Sequence, residues 1–249
     1  METHTRDLEF RLMTIKLLNT IKKHYTYREI SQWTGLPVTV LSRYVKGHVL
    51  PASKRAREIW ESLQKVMDLE AAITSRIKFD ENLYFDNTPI ICDVALLRLA
   101  TQFAVSNFAG RRITKVLTAA VDGIPLATMV ANALDVDLVI AKKNREVGVK
   151  EWIEESFIFS DTGVVLTFYL PKDSLKKGDS VLIVDDIIRT GETQEILIRL
   201  VERMKAELAG IFVLVAVGDE WKKRLKIPSG CLFKTLANVE VPKKAAMQV

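Results

Sequence analysis

No apolar run in this 249-residue chain approaches 18 residues, and the stretch Met1-Glu-Thr-His-Thr-Arg6 carries no apolar segment. A membrane span and a signal peptide are therefore not expected, and a cytoplasmic protein is. Cysteine is scarce: Cys92 and Cys231 lie 139 residues apart. That spacing makes neither a disulfide framework nor a zinc site, and it predicts two buried thiols. Three histidines, His4, His24 and His48, are too scattered to hold a metal and read as surface or phosphate-adjacent residues. No Gly-x-x-x-x-Gly-Lys-Ser/Thr and no Gly-x-Gly-x-x-Gly occurs, which excludes a Walker loop and a dinucleotide fingerprint. With 48% hydrophobic residues the chain can bury a large core, so wholesale disorder is excluded as well.

The charge is unevenly placed. The net charge is +5, and residues 1–76 hold 13 basic against 8 acidic side chains, so all of the excess lies there. Such asymmetry fits a nucleic-acid module, and it also fits an ordinary solvated helical surface.

Residues 8–23 carry Leu8, Leu12, Ile15, Leu18 and Ile21 at spacings of three and four, one face of a helix. Residues 28–34, 38–46 and 54–77 also read as helices, with Pro37 and Pro51 near helix starts. After residue 77 the pattern changes. Val116–Thr118, Leu138–Ile140, Val164–Tyr169, Val181–Val184 and Ile211–Val217 read as strands, with helices at about 93–108, 124–134 and 193–208 between them. That alternation predicts a mostly parallel sheet with crossover helices. Two domains follow, 1–77 and 78–249, joined directly by the helix 54–77.

Residues 27–46 have the features of a helix-turn-helix. Ser31 is small where two helices meet, and Gly35 supplies the positive φ of the turn. Ile30, Leu36, Val38, Leu41 and Val45 are candidate apolar anchors. Thr39, Ser42, Arg43 and Lys46 would face outward on the second helix, with Arg28 on the first. Hydroxyls and guanidinium groups suit base edges and phosphates in a major groove. The segment, with Gly47 and Pro51 beyond it, resembles the Cro/repressor-type helix-turn-helix family. The resemblance implies a double-stranded DNA operator as partner; a protein-interaction or merely structural helical bundle is the alternative.

Residues 181–193 read Val-Leu-Ile-Val-Asp-Asp-Ile-Ile-Arg-Thr-Gly-Glu-Thr. An apolar strand ends in two carboxylates, and a turn then opens a helix. Backbone N–H groups at the helix start and the hydroxyls of Thr190 and Thr193 make a phosphate cradle, with Gly191 allowing close approach. Asp185 and Asp186 repel phosphate and suit ribose hydroxyls instead. The site belongs at the carboxyl end of a parallel strand, where open α/β sheets bind ligands.

The run resembles the phosphoribosyl-diphosphate (PRPP) motif of type I phosphoribosyltransferases, and the resemblance extends over about residues 83–241. It implies an α/β fold: an all-α helix-turn-helix domain followed by a doubly wound, mostly parallel sheet domain. It assigns Asp185, Asp186, Arg189, Thr190, Gly191, Glu192 and Thr193 to the ribose phosphate. Tyr84-Phe85-Asp86-Asn87-Thr88-Pro89 is similar to a segment of the adenine enzymes in which Phe85 would stack on the purine, and Val215 would form the opposite wall. Val121, Asp122 and Gly123 match the pyrophosphate loop, and Lys142 and Lys143 the basic strand end. Residues 144–155 match a catalytic flap. Phe85 as a core aromatic, and Lys142 and Lys143 as surface charge, remain equally simple readings. Magnesium is implied as the companion of a diphosphate ligand, without direct protein ligands.

The pattern breaks on the diphosphate side. Asp122 and Asp86 stand where the adenine enzymes carry arginine, and Ser156–Asp161 offers no clear flap glutamate, although Glu154 and Glu155 are near. A carboxylate about 4 Å from pyrophosphate costs roughly 4 kcal/mol at an effective dielectric of 20. The expectation is a homodimeric regulator whose second domain senses PRPP or a purine nucleotide, a plan similar to purine-repressor-like and archaeal phosphoribosyltransferase-like regulators. Asp185 and Asp186 carry the chemistry if the chain is instead an active purine phosphoribosyltransferase.

Overall fold

The computed structural model describes residues 4–23, 25–66, 68–158 and 163–242. His24 therefore lies outside the described residues. The chain forms two compact units, Met1–Asp68 and Leu69–Val249.

The first unit is helical: α1 (His4–Lys22), α2 (Tyr27–Thr34), α3 (Val38–Val45) and α4 (Ser53–Val66). Thr26 and Glu29 form a capping box that starts α2, and Gly35 ends it at φ 66°. Ser31 donates its hydroxyl to the Leu36 carbonyl at 2.6 Å, which draws the turn back onto α2. Leu18, Ile21, Ile30, Leu41, Ile59 and Leu63 are almost wholly buried. Two expected core positions on α1 are not: Leu8 and Leu12 are exposed, and Thr14 and Leu17 are buried instead. Val38 is likewise exposed rather than an anchor, and Val45 is half-buried.

The expected helix 54–77 is two helices, α4 and α5 (Leu69–Thr74). Its apolar residues serve different cores. Ile59, Trp60 and Leu63 are buried in the first unit, whereas Ile73 joins a cluster of the second. The division between units falls at 68/69 rather than 77/78 for that reason.

The second unit is built on five parallel strands, β1 (Lys115–Ala119), β2 (Asp137–Ala141), β5 (Ser180–Ile188), β6 (Glu207–Val217) and β7 (Leu232–Val239), in the order β2-β1-β5-β6-β7. A separate antiparallel hairpin, β3 (Trp152–Ile158) and β4 (Val165–Pro171), joins the β2 end through paired backbone bonds between Lys142 and Tyr169. Both faces of the sheet are covered. Leu182 and Val184 pack with α7 (Val94–Asn107) and α8 (Ile124–Leu134). Val181 and Ile183 pack with α9 (Glu192–Arg203) and with Trp221 of α10 (Glu220–Arg224). Alternate side chains of one strand thus fill two cores, as a doubly covered parallel sheet requires. The short helix α6 (Thr88–Ile91) precedes α7. Neither thiol is fully buried as expected: Cys92 is exposed and Cys231 half-buried, because each lies at the margin of the packed layers.

Candidate functional site

Strand β5 carries Asp185 and Asp186 to the carboxyl end of the sheet. Asp185 is 4% exposed and Asp186 8%. The two side chains are held differently. Asp185 Oδ2 accepts a 2.6 Å hydrogen bond from Nε2 of Gln194, itself buried on α9. Asp186 Oδ2 accepts a 2.7 Å bond from Asn87 Nδ2, which also stands 3.4 Å from Asp122 Oδ2. Burial, and next the neighbouring Asp186 charge, push the Asp185 carboxyl well above its ordinary range. Burial also raises Asp186, while hydrogen bonds from Asp185 and Asn87 oppose it.

The loop after β1 closes over this pair. Its Ala120–Val121 peptide is cis, and Gly123 starts α8. A side chain at Gly123 would press into Thr118 Oγ1 and stand 2.6 Å from Asp185 Oδ1, so only glycine fits there. Thr118 Oγ1 is buried and has no hydrogen-bond partner among the described residues. Val121 and Asp122 are exposed at the rim. Lys142 is engaged, its Nζ 2.6 Å from Glu146, and Lys143 is exposed. Val121, Asp122 and Gly123 therefore share the sheet end with the two acids, while Lys142 is paired with Glu146.

The cradle has the expected backbone and unexpected side chains. Gly191 takes φ 90° and α9 begins at Glu192. Thr193 is half-buried. Arg189 Nη1 donates to the Leu83 carbonyl at 3.4 Å. Glu192, expected beside the phosphate, is buried and accepts from the Thr190 hydroxyl and the Arg224 guanidinium. A carboxylate so engaged is not free to contact a phosphate.

Phe85 is half-buried, packs edge-on against Phe79 at 5.3 Å and joins the cluster that holds Val215. The two predicted base-pocket residues are thus brought to one side of the sheet. Thr88 holds the Asp86 carboxyl below the usual range, first through its side-chain hydroxyl and next through its N–H, which donates at 2.9 Å. Of the expected flap 144–155, the end is regular strand. Glu154 pairs with Arg145, and Glu155 with Arg203 at 2.8 Å. Both glutamates are thus in surface ion pairs. Phe159, Ser160 and Asp161 lie outside the described residues.

In the helical unit, Arg28, Thr39, Arg43 and Lys46 are exposed and Ser42 is half-buried. Val38, at the start of α3, is exposed as well. His48 is exposed.

Four site residues escaped the sequence reading: Asn87, Thr118, Gln194 and Arg224. Asn87 lies within the Tyr84–Pro89 segment, Thr118 ends the Val116–Thr118 run, and Gln194 directly follows Thr193. Arg224 gave no signal.

Residues 84–246 match the phosphoribosyl transferase domain family. The chain belongs to that family. It is 35% identical over 128 residues to the purine biosynthesis transcriptional repressor PurR of Bacillus subtilis, covering 51% of this chain and 45% of that one. It is 34% identical over 158 residues to the hypoxanthine/guanine phosphoribosyltransferase of Methanocaldococcus vulcanius, covering 63% and 81%. The solved adenine phosphoribosyltransferase of Rhodothermus marinus superposes with a TM-score of 0.61 at 31% identity, over 69% of this chain and 98% of that one. The chain spans about half the length of the Bacillus repressor it matches. The fold is therefore a type I phosphoribosyltransferase sheet preceded by a helical unit. Among the described residues no helix is long and apolar enough to cross a membrane.

Proposed function

We propose that the protein is a DNA-binding transcriptional regulator whose phosphoribosyltransferase domain senses PRPP or a purine nucleotide. One observation carries the reading. Asp185 and Asp186 are buried and hydrogen-bonded ahead of the turn at Gly191, while the diphosphate loop presents the exposed Asp122 carboxylate, which shares the Asn87 amide with Asp186. The ribose-phosphate half can hold a sugar phosphate, and the diphosphate loop lacks positive charge to stabilise the pyrophosphate leaving group in a transition state. Likeness to a purine repressor supports the same direction. The outward residues Arg28, Thr39, Ser42, Arg43 and Lys46 read an operator, with α3 in the major groove. A homodimer presents two such helices about 34 Å apart. Control requires the ligand to prefer one arrangement of the heads. The regulator works in the cytoplasm.

The donor set fits magnesium arriving on a diphosphate. Against the expectation of no direct protein ligand, Asp122 and Asp186 would offer hard oxygen ligands, and the Thr118 hydroxyl, without a hydrogen-bond partner among the described residues, lies at the base of the same loop, against Gly123. Bound magnesium supplies positive charge that turns the repulsion of these acids into attraction.

The second reading, an active purine phosphoribosyltransferase, is favoured by the likeness to the Methanocaldococcus enzyme, 81% of which is covered. Base and PRPP would give a nucleoside monophosphate and pyrophosphate. Calorimetry with magnesium–PRPP, with and without each purine base, followed by a pyrophosphate-release assay, separates the two. Binding without release supports the sensor; rapid release with one base establishes the enzyme. In parallel, Arg43→Ala should lower operator affinity by about 1–3 kcal/mol without changing ligand binding. Operator affinity should also fall steeply with salt, and a flat salt response would overturn the DNA assignment.

A further inference from the structure

The phosphate cradle contains a buried acid. Glu192 is 5% exposed at the first position of α9, within the turn that receives the phosphate. Alone, that carboxylate would repel a phosphate dianion and would be costly to bury. Its counter-ion comes from α10. Arg224 Nη1 pairs with Glu192 Oε1 and donates to the Thr190 carbonyl at 3.3 Å. α10 is seated directly on the turn: a Cβ at Gly191 would lie 3.4 Å from Trp221 Cβ. The same guanidinium lies over the Phe157 ring of β3, 5.2 Å from its centre. Arg224 therefore touches the turn, the first residue of α9 and the hairpin at once.

We propose that Arg224 sets the affinity of the cradle for dianionic phosphate by cancelling the Glu192 charge. The inference rests on the phosphate reading of residues 189–193. Thr190 sharpens it. Its hydroxyl is bonded to Glu192, so an entering phosphate must compete with that carboxylate for a donor. With Arg224 in place the carboxylate has a second partner and can release the hydroxyl. Without Arg224 both the donor and the local potential are lost to the ligand.

The test is calorimetry with ribose 5-phosphate, with unphosphorylated ribose as control. Arg224→Ala should weaken ribose 5-phosphate binding at least about tenfold, as one uncancelled charge near a dianion requires. Adding Glu192→Gln to that variant should bring affinity back to within about threefold of wild type. Glu192→Gln alone should bind more tightly than wild type. Unchanged affinity in Arg224→Ala, or a double variant as weak as the single one, would overturn the proposal. Should Arg224→Ala fail to fold by circular dichroism, the single variant Glu192→Gln decides: binding weaker than wild type refutes charge cancellation. Wild type that binds no ribose 5-phosphate would refute the phosphate reading itself, a result separate from any variant and seen first.

Discussion

The two halves of the ligand site are made of different material. The ribose-phosphate half is consecutive in sequence, and its acids are buried and hydrogen-bonded: Asp185 is held by Gln194, Asp186 by Asn87 and Glu192 by Arg224. The diphosphate half is exposed and assembled from separate loops, with Val121 70% exposed and Lys142 paired to a neighbour. Burial fixes the chemistry of the first half, because each acid needs its partner to remain inside. Exposure leaves the second half free to change. A family fold can therefore keep its hold on a sugar phosphate while the charge at Asp122 departs from an enzyme's pattern.

Substitutions two residues apart in one loop test that contrast most strongly. Gly123→Ala should cost about 3 kcal/mol, since its methyl meets buried Thr118 and Asp185. Val121→Ala should stay within about 0.5 kcal/mol. Denaturant unfolding of both variants measures the gap; equal effects would mean that the loop is not packed against the acids.

Asp185→Asn comes next, with opposite effects on stability and binding. The folded-state pKa is raised, so the wild type loses stability as pH climbs above the ordinary carboxyl value of 3.8. The variant should be more stable at pH 7 by at least about 1 kcal/mol, roughly 2–4 °C in Tm. Its advantage should fade as pH falls below 3.8. Affinity for ribose 5-phosphate should drop about a hundredfold for loss of a charged hydrogen-bond acceptor. A variant that is less stable at every pH would break the account of Asp185 as a strained, functional acid.

Asp122→Asn should leave the melting temperature unchanged and tighten metal-free PRPP binding by about threefold to tenfold. Weaker binding would show that Asp122 helps the ligand directly. The smallest effect belongs to Lys142→Ala, which removes an exposed pair with Glu146 and should not alter thermal unfolding measurably.

Much of this was legible in the sequence where partners are close along the chain. The turn at Gly35, strand β5 and the start of α9 each depend on local spacing. Asn87 and Asp186 are 99 residues apart, and Arg224 and Glu192 are 32 apart, so no local pattern could join them. β3 and β7 escaped because Glu154, Glu155, Lys234 and Asn238 interrupt their apolar alternation, as partly exposed strands allow. The exposed Leu8 and Leu12 share the helical period of buried Ile15 and Leu18. Periodicity names a face without saying how far a neighbour covers it.

The strand order also dictates when each unit can fold during synthesis. The helical unit contains all four of its helices within residues 1–68. β1 reaches its partner only when Val181 arrives opposite Lys115, 66 residues later. At about 5–20 residues per second, the ribosome leaves β1 without its central neighbour for several seconds. The nascent chain thus carries a finished helical head ahead of an open sheet edge, and that edge is the part of the molecule that a chaperone would need to shield.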